Sequence, residues 1–393
     1  MDFNRDFEHF HRHDLPALLD GDWGAVAQQA TVGLPSLAIR LPDGRACAYQ
    51  PGSSGVELKQ GVAEGSIVVE LDEADWVGLY DSMETPSGLV LSNRARIVAG
   101  AVSDFMDWEP ALRVLYERLP LYDPSAPLLG RDGREVDPSQ SFHPDADPEA
   151  MADFLRTTGY LLIRELIPQS EVDELLADSL HLQAAAREDD RASWWGRSED
   201  GQVVCTRVNN GGTLPRVRAL PSDPRFMRIV GLSDFELEAT DTEKIDILFK
   251  RSGMVFDGLA DNPWHRDCGL GGHKRMCPLM NGSLFLRPAN RESGELRFLP
   301  GSWKTAGSSV AVDDHDAGVG IEAAAGDFAL HYGDGVHAGP PPTSATGPFR
   351  VSIVFEYGPP GRSAEEGQEH YDQLMYDADA GQLRSSDPTR SNG

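Results

Sequence analysis

The stretch NPWHRDCGLGGH, residues 262–273, packs two histidines (His265, His273), an aspartate (Asp267), a cysteine (Cys268) and three glycines into twelve positions. Three chemistries fit such a cluster: a metal site, a zinc knuckle that also uses Cys277, and a polar glycine-rich loop. On a strand or strand end, side chains two residues apart point to the same face, so His265 and Asp267 pair an imidazole with a carboxylate. That pair is part of a 2-His-1-carboxylate facial triad, the donor set that leaves open positions on non-haem Fe(II). An isolated H-x-D arises by chance in many chains, so a second histidine has to complete it. The zinc knuckle is the weaker alternative, because Cys268, His273 and Cys277 lack paired C-x2-C spacing and a clear fourth ligand.

Downstream, GDFALHYGDGVHAGPPPTSATGPFRVSIVFEY (326–357) offers two histidines. His331 lies inside the strand-like run FALHY, where a satisfied structural histidine is the plainer reading. His337 follows YGDG, at the end of that strand and before a proline-rich loop, from which a ligand can project into a barrel mouth. Arg350 and Ser352 open the next run, FRVSIVF, two apart on one strand face with apolar neighbours. A guanidinium fork plus a hydroxyl suits one buried carboxylate, such as the far end of a dicarboxylic co-substrate.

Four ordered segments then point to a family. FLRTTGYLLIRELIPQSEVDEL, WHRD, ANRESGELRFLPGSW and the closing segment above resemble the phytanoyl-CoA dioxygenase family of Fe(II)/2-oxoglutarate oxygenases, over about residues 147 to 360. The resemblance implies an α+β chain with a double-stranded β-helix core (jelly-roll, cupin-like) and helices packed on one side. It implies Fe(II) on His265, Asp267 and His337. It also implies 2-oxoglutarate held by Arg350 with Ser352, a lysine near the site at Lys250, and O2 as co-substrate. The implied reaction oxidises an aliphatic C–H, releasing succinate and CO2, with the chemistry at the iron and no separate acid–base residue. Family members that halogenate replace the carboxylate ligand by a small residue, so Asp267 favours hydroxylation. Two departures stand out. Trp303 replaces the histidine of the usual PGSH, and the proline-rich loop between His337 and Arg350 is slightly long. His273 and Trp303 are expected toward the substrate or behind the ligands, and Trp264, on the strand face opposite His265, is expected in the core.

The rest of the chain organises around this segment. Asp147-Pro148 reads as an N-cap and first helical residue, and Gly159 as the stop. Ser170 and Asp173 are spaced as a capping box for a second helix. Before them, residues 122–146 are rich in Pro, Asp, Gly and Ser and read as a linker. Residues 20–121 read as a small α+β domain. SLAIRL and ACAYQ flank a Pro42-Asp43-Gly44 turn as a hairpin, SIVVEL is a further strand, and DEADWVGLYDSM and ALRVLYERL are helices. This order resembles the sterol-carrier-protein-2-like fold, which implies a cavity for an apolar ligand; the alternative is a module for dimerisation or stability alone. Residues 1–19 read as a solvated arm whose His9, His11 and His13 form at most a weak metal-binding tract. Residues 363–393 read as a polar tail.

Lys and Arg number 35 against 63 Asp and Glu, for a formal net charge of −28. Phosphate backbones and anionic membrane surfaces are therefore poor partners. Four cysteines are too few for a disulfide framework, and no apolar run is long enough to span a bilayer. A cytoplasmic enzyme acting on a small apolar or carrier-linked molecule of secondary metabolism is the expectation, with a homodimer left open. Two rivals are a non-catalytic lipid or small-molecule carrier with a degenerate barrel, and a zinc-dependent cupin-like hydrolase or isomerase.

Overall fold

The computed structural model describes residues 6–53, 55–190, 192–256, 261–270, 279–307, 310 and 314–360. His273, Cys277 and the 363–393 tail lie outside the described residues.

The N-terminal half builds one five-stranded sheet, ordered β3 (Gly55–Gln60), β2 (Ala46–Gly52), β1 (Leu37–Arg40), β4 (Ile67–Glu70) and β5 (Arg96–Ala99). The β1–β2 hairpin forms as expected, and β1 pairs parallel with β4. Trp76, Trp108, Tyr49, Phe105 and Tyr116 fill the interior that this sheet and its helices enclose.

One expectation fails here. Residues 7–19 are not a solvated arm but a run of helical turns, with Phe7, Phe10, His11 and Leu15 buried. Their near-helical spacing sets one apolar stripe against Trp76, with the Phe7 ring 5.0 Å away. His11 is consumed inside this core. It hydrogen-bonds the Phe7 carbonyl through Nδ1 (2.7 Å) and the Tyr49 hydroxyl through Nε2, and Tyr49 continues the chain to Tyr116.

The C-terminal half is a second unit with its own core. Its larger sheet runs β11 (Met254–Phe256), β7 (Ser193–Ser198), β8 (Val203–Val208), β10 (Asp246–Phe249), β18 (Val351–Gly358), β13 (Met280–Phe285), β16 (Phe328–Tyr332) and β6 (Tyr160–Ile163), with β9 (Glu238–Ala239) on β18. The smaller sheet is β12 (Asn262–His265), β17 (His337–Gly339), β14 (Leu296–Phe298) and β15 (Val319–Ile321). Apolar side chains of both sheets share one core, with Phe298 stacked on Tyr160 at 4.4 Å. The pair forms the expected double-stranded β-helix.

Local sequence explains the supporting helices. The Asp147 carboxylate accepts from Glu149 N–H (3.1 Å), Pro148 opens the Pro148–Thr158 helix, and Gly159 at φ 92° closes it. The Gln169–Ala185 helix departs from the expected capping box. Pro168, with its extended ψ of 155°, is the N-cap, so the Ser170 hydroxyl already lies inside the first turn and cannot reach back to cap it. Asp173 bonds Gln169 instead (2.8 Å). Within 122–146, Phe142 joins the core and exchanges backbone hydrogen bonds with Leu162 and Arg164. No helix among the described residues is long and apolar enough to cross a membrane.

Candidate metal centre

β12 and β17 run antiparallel, and their register sets His265 directly opposite His337, with ring centroids 4.2 Å apart. After His265 the chain leaves the strand. Asp267 begins a short 3-10 turn, Asp267–Leu270, and its N–H donates to the Gly333 carbonyl (2.9 Å). That bond folds the turn back toward His337, so the carboxylate converges although it is not on the strand. Asp267 Oδ1 lies 3.5 Å from His265 Nε2 and 3.6 Å from His337 Nε2. One ligand atom from each residue falls within 4.8 Å of the others, close enough for a single ion to touch all three.

Protonation prepares the cluster for a cation. His265 Nδ1 donates to the Pro263 carbonyl (2.8 Å) and His337 Nδ1 to the Gly335 carbonyl (3.0 Å). A carbonyl can only accept, so in each neutral ring the proton sits on Nδ1 and the Nε2 lone pair faces the cluster. Burial pushes His337 down to about 3, which keeps it neutral at ordinary pH. Burial would raise the Asp267 carboxyl, but the surrounding imidazoles of His337, His265 and His331 outweigh it and hold the group well below the usual carboxylate range.

The second carboxylate oxygen is already committed. Asn281 Nδ2 (2.6 Å) and His331 Nε2 (3.1 Å) both reach Asp267 Oδ2, leaving Oδ1 toward the histidines. His331 therefore sits behind the carboxylate rather than serving only as a strand histidine. Asn281 had no sequence signal, because its role arises from pairing opposite His331 across β13 and β16.

Two buried cationic side chains adjoin the cluster. His337 and Gly339 are two apart on β17 and share a face. A Cβ at Gly339 would lie 3.6 Å from both Lys250 Nζ and Arg350 Nη2, so both cations lie one step along the strand from His337. The β10–β18 pairing continues to Lys250, whose N–H donates to the Arg350 carbonyl (3.0 Å), which explains why residues a hundred apart meet. Lys250 is held by the Asp261 carboxylate and by the Gly339 and Pro340 carbonyls. Arg350 is 2% exposed and spends Nη1 on the Glu295 carbonyl (3.0 Å), while its buried Nε has no partner among the described residues. Burial lowers Arg350 to about 10, so it remains a cation at neutral pH. A buried guanidinium with an unmet donor is what a carboxylate-bearing co-substrate requires. Ser352 is buried two residues further on.

Two expectations change. Trp303 has its ring stacked on Tyr332 (4.2 Å) and set against Gly159, with Lys304 Nζ 4.5 Å from the ring centroid, and none of these contacts is a candidate ligand. Trp264 is half-buried rather than in the core, and its indole N–H donates to the Asp314 carbonyl (2.8 Å). Cys268 is buried beside Gly333.

The phytanoyl-CoA dioxygenase (PhyH) family profile matches residues 155–350, a span that includes the whole cluster and ends on Arg350. Residues 155–350 are a phytanoyl-CoA dioxygenase family domain. The PhyH domain makes this chain a 2-oxoglutarate-dependent non-haem iron enzyme that uses Fe(II), 2-oxoglutarate and O2. Similar solved structures include AviO1 from Streptomyces viridochromogenes Tue57, with a TM-score of 0.43 and 22% identity, covering 55% of this chain and 96% of that one. EvdMO1 gives 0.43 and 20% over 54% of this chain and 50% of its own. The non-haem α-ketoglutarate-dependent epimerase SnoN from nogalamycin biosynthesis gives 0.41 and 19% over 56% and 92%. At these scores the likenesses carry no argument about reaction or substrate. No curated protein matches the chain.

Proposed function

We propose that His265, Asp267 and His337 hold the Fe(II) of this PhyH domain, and that Arg350 holds the C5 carboxylate of 2-oxoglutarate. On this reading the enzyme hydroxylates an aliphatic C–H of a small apolar or carrier-linked metabolite, with release of succinate and CO2. The observation that carries the reading is the convergence of two Nε2 atoms and Asp267 Oδ1, with every other polar atom of those side chains engaged elsewhere. Bound iron would supply the O2 activation and C–H oxidation that side chains cannot perform.

The chain's own residues have separate tasks. The Pro263 and Gly335 carbonyls fix the two rings, and Asn281 and His331 limit Asp267 to one free oxygen. Arg350, beside Gly339 of β17, would anchor the co-substrate at its far end, while Lys250 braces the site and Ser352 adds a hydroxyl. Retention of Asp267 supports oxygen insertion over halogenation, since the carboxylate fills the position a halide would need. The apolar substrate class rests on the resemblance of the N-terminal unit to sterol-carrier domains; its interior packing by Trp76, Trp108 and Tyr49 supports a supporting role for that unit as well.

The test is anaerobic addition of Fe(II) and 2-oxoglutarate to the full-length protein, followed by succinate assay in air. A weak visible charge-transfer band is expected, lost together with succinate formation in Asp267→Ala and His337→Ala. A folded protein with neither band nor succinate would instead support the carrier alternative.

A further inference from the structure

The N-terminal unit reaches the metal cluster from behind. Its Pro86–Leu91 helix packs against the Asp267–Leu270 turn. Arg113, 1% exposed, projects from the helical segment at 109–117 and meets Asp334, also 1% exposed, at 3.4 Å. Glu109 lies 3.4 Å from the same guanidinium.

Asp334 sits in the middle of a turn that touches two candidate ligands. On one side the Gly333 carbonyl accepts from Asp267 N–H; on the other the Gly335 carbonyl accepts from His337 Nδ1. Arg266, between His265 and Asp267, also donates to the Asp334 carbonyl, and to Ser302 and Thr305 carbonyls at 3.1 and 3.0 Å. The 302–307 segment is tied in turn to the N-terminal unit, through Ala306 N–H to the Pro120 carbonyl (2.8 Å). Three consecutive residues, 333 to 335, thus set the direction of both Asp267 and His337, and the side chain at their centre is gripped by Arg113.

We propose that the N-terminal unit is a working part of the iron site, with Arg113 as a positioning residue that holds the 333–335 turn through Asp334. This rests on the assignment of Fe(II) to His265, Asp267 and His337. A buried ion pair suits the task. Removing one partner leaves an uncompensated charge, so the turn has one favoured position while the pair is intact. A turn free to shift would release the Gly335 carbonyl from His337 and the Gly333 carbonyl from Asp267, and the ligand triangle would lose its preset shape.

Full-length Arg113→Gln, Arg113→Lys and Asp334→Asn are titrated anaerobically with Co(II), read by its visible absorption, alongside thermal melting. Arg45→Gln, which removes an exposed bridge to Asp43 and Glu73 in the same unit, is the control. Arg113→Gln is expected to weaken Co(II) binding about tenfold or more, the scale on which supporting residues act on metal sites. Arg113→Lys should recover part of the loss, and Arg45→Gln should bind as wild type. Wild-type Co(II) affinity in folded Arg113→Gln, or a lowered melting temperature with unchanged affinity, overturns the proposal. Should Arg113→Gln not fold, Asp334→Asn and hydrogen exchange of the 333–336 amides in Arg113→Lys give the same decision: unchanged affinity and protection refute it. Failure of the wild type itself to take Co(II) overturns the iron assignment first, and the positioning role with it.

Discussion

Asn281 and His331 face each other across the β13–β16 pair and donate to the same oxygen of Asp267. Their shared target makes the carboxylate one-handed: Oδ2 is spent on the two donors and Oδ1 is left for a cation. Asn281→Ala and His331→Phe should therefore weaken metal binding by about 10- to 100-fold while leaving the fold intact. Anaerobic Fe(II) or Co(II) titration with circular dichroism checks this; unchanged affinity in both variants would show that Asp267 is oriented by other means.

Arg350 predicts a defect in co-substrate binding. Truncating one partner of a buried, hydrogen-bonded charge pair costs about 2–5 kcal/mol. Arg350→Gln should raise the 2-oxoglutarate KM on the order of 10²-fold, with a smaller effect on kcat at saturation. Steady-state succinate formation against 2-oxoglutarate concentration measures it. A KM within twofold of wild type would move the carboxylate site away from Arg350.

His11 predicts a pH-dependent N-terminal unit. Burial lowers its imidazole from 6.5 to about 4, so the folded chain keeps it neutral while the unfolded chain protonates at higher pH. The unfolded state then binds more protons between those values, and stability falls as the pH drops from about 6.5 toward 4. The loss from this group amounts to up to about 3 kcal/mol. Urea denaturation at stepped pH tests it, with His11→Phe expected to flatten that part of the slope.

Gly159 predicts a purely steric loss. Its φ of 92° is in the left-handed region, and an added Cβ would stand 2.6 Å from Trp303 Cδ1. Its carbonyl also accepts from Tyr332 N–H (3.0 Å), next to His331. Gly159→Ala should destabilise the PhyH domain by about 2 kcal/mol, read as a lowered urea midpoint. An unchanged midpoint would mean that Trp303 swings aside and alanine takes the left-handed backbone at no cost.

Arg350 could be picked out from sequence as a charge opening an apolar, strand-forming run, whereas His265, Asp267 and His337 stood out through the H-x-D spacing and the resemblance of WHRD and the closing segment to the family. A period-2 pattern says which face such a residue takes. The same pattern says nothing about partners on other strands, so Asn281 passed unnoticed and His331 looked merely structural. Residues 7–19 misled because Asp, His and Arg share their surface with Phe7, Phe10 and Leu15, and a short charged helix resembles a solvated arm until Trp76 is there to receive it. Trp303 misled in the other direction: its place in a familiar motif suggested the site, whereas Gly159 and Tyr332 supply its surroundings.

By itself, then, the sequence determined the donor types, the strand alternation, the helix ends at Asp147 and Gly159 and the membership of residues 155–350. Tertiary structure decided what converges. The antiparallel register of β12 and β17 set His265 against His337, the bond from Asp267 to Gly333 brought in a carboxylate that had left the strand, and Arg113 met Asp334 across two cores. The physical reason is that hydrogen-bond register and close packing join residues distant in the chain, and those contacts exist only once both surfaces are folded.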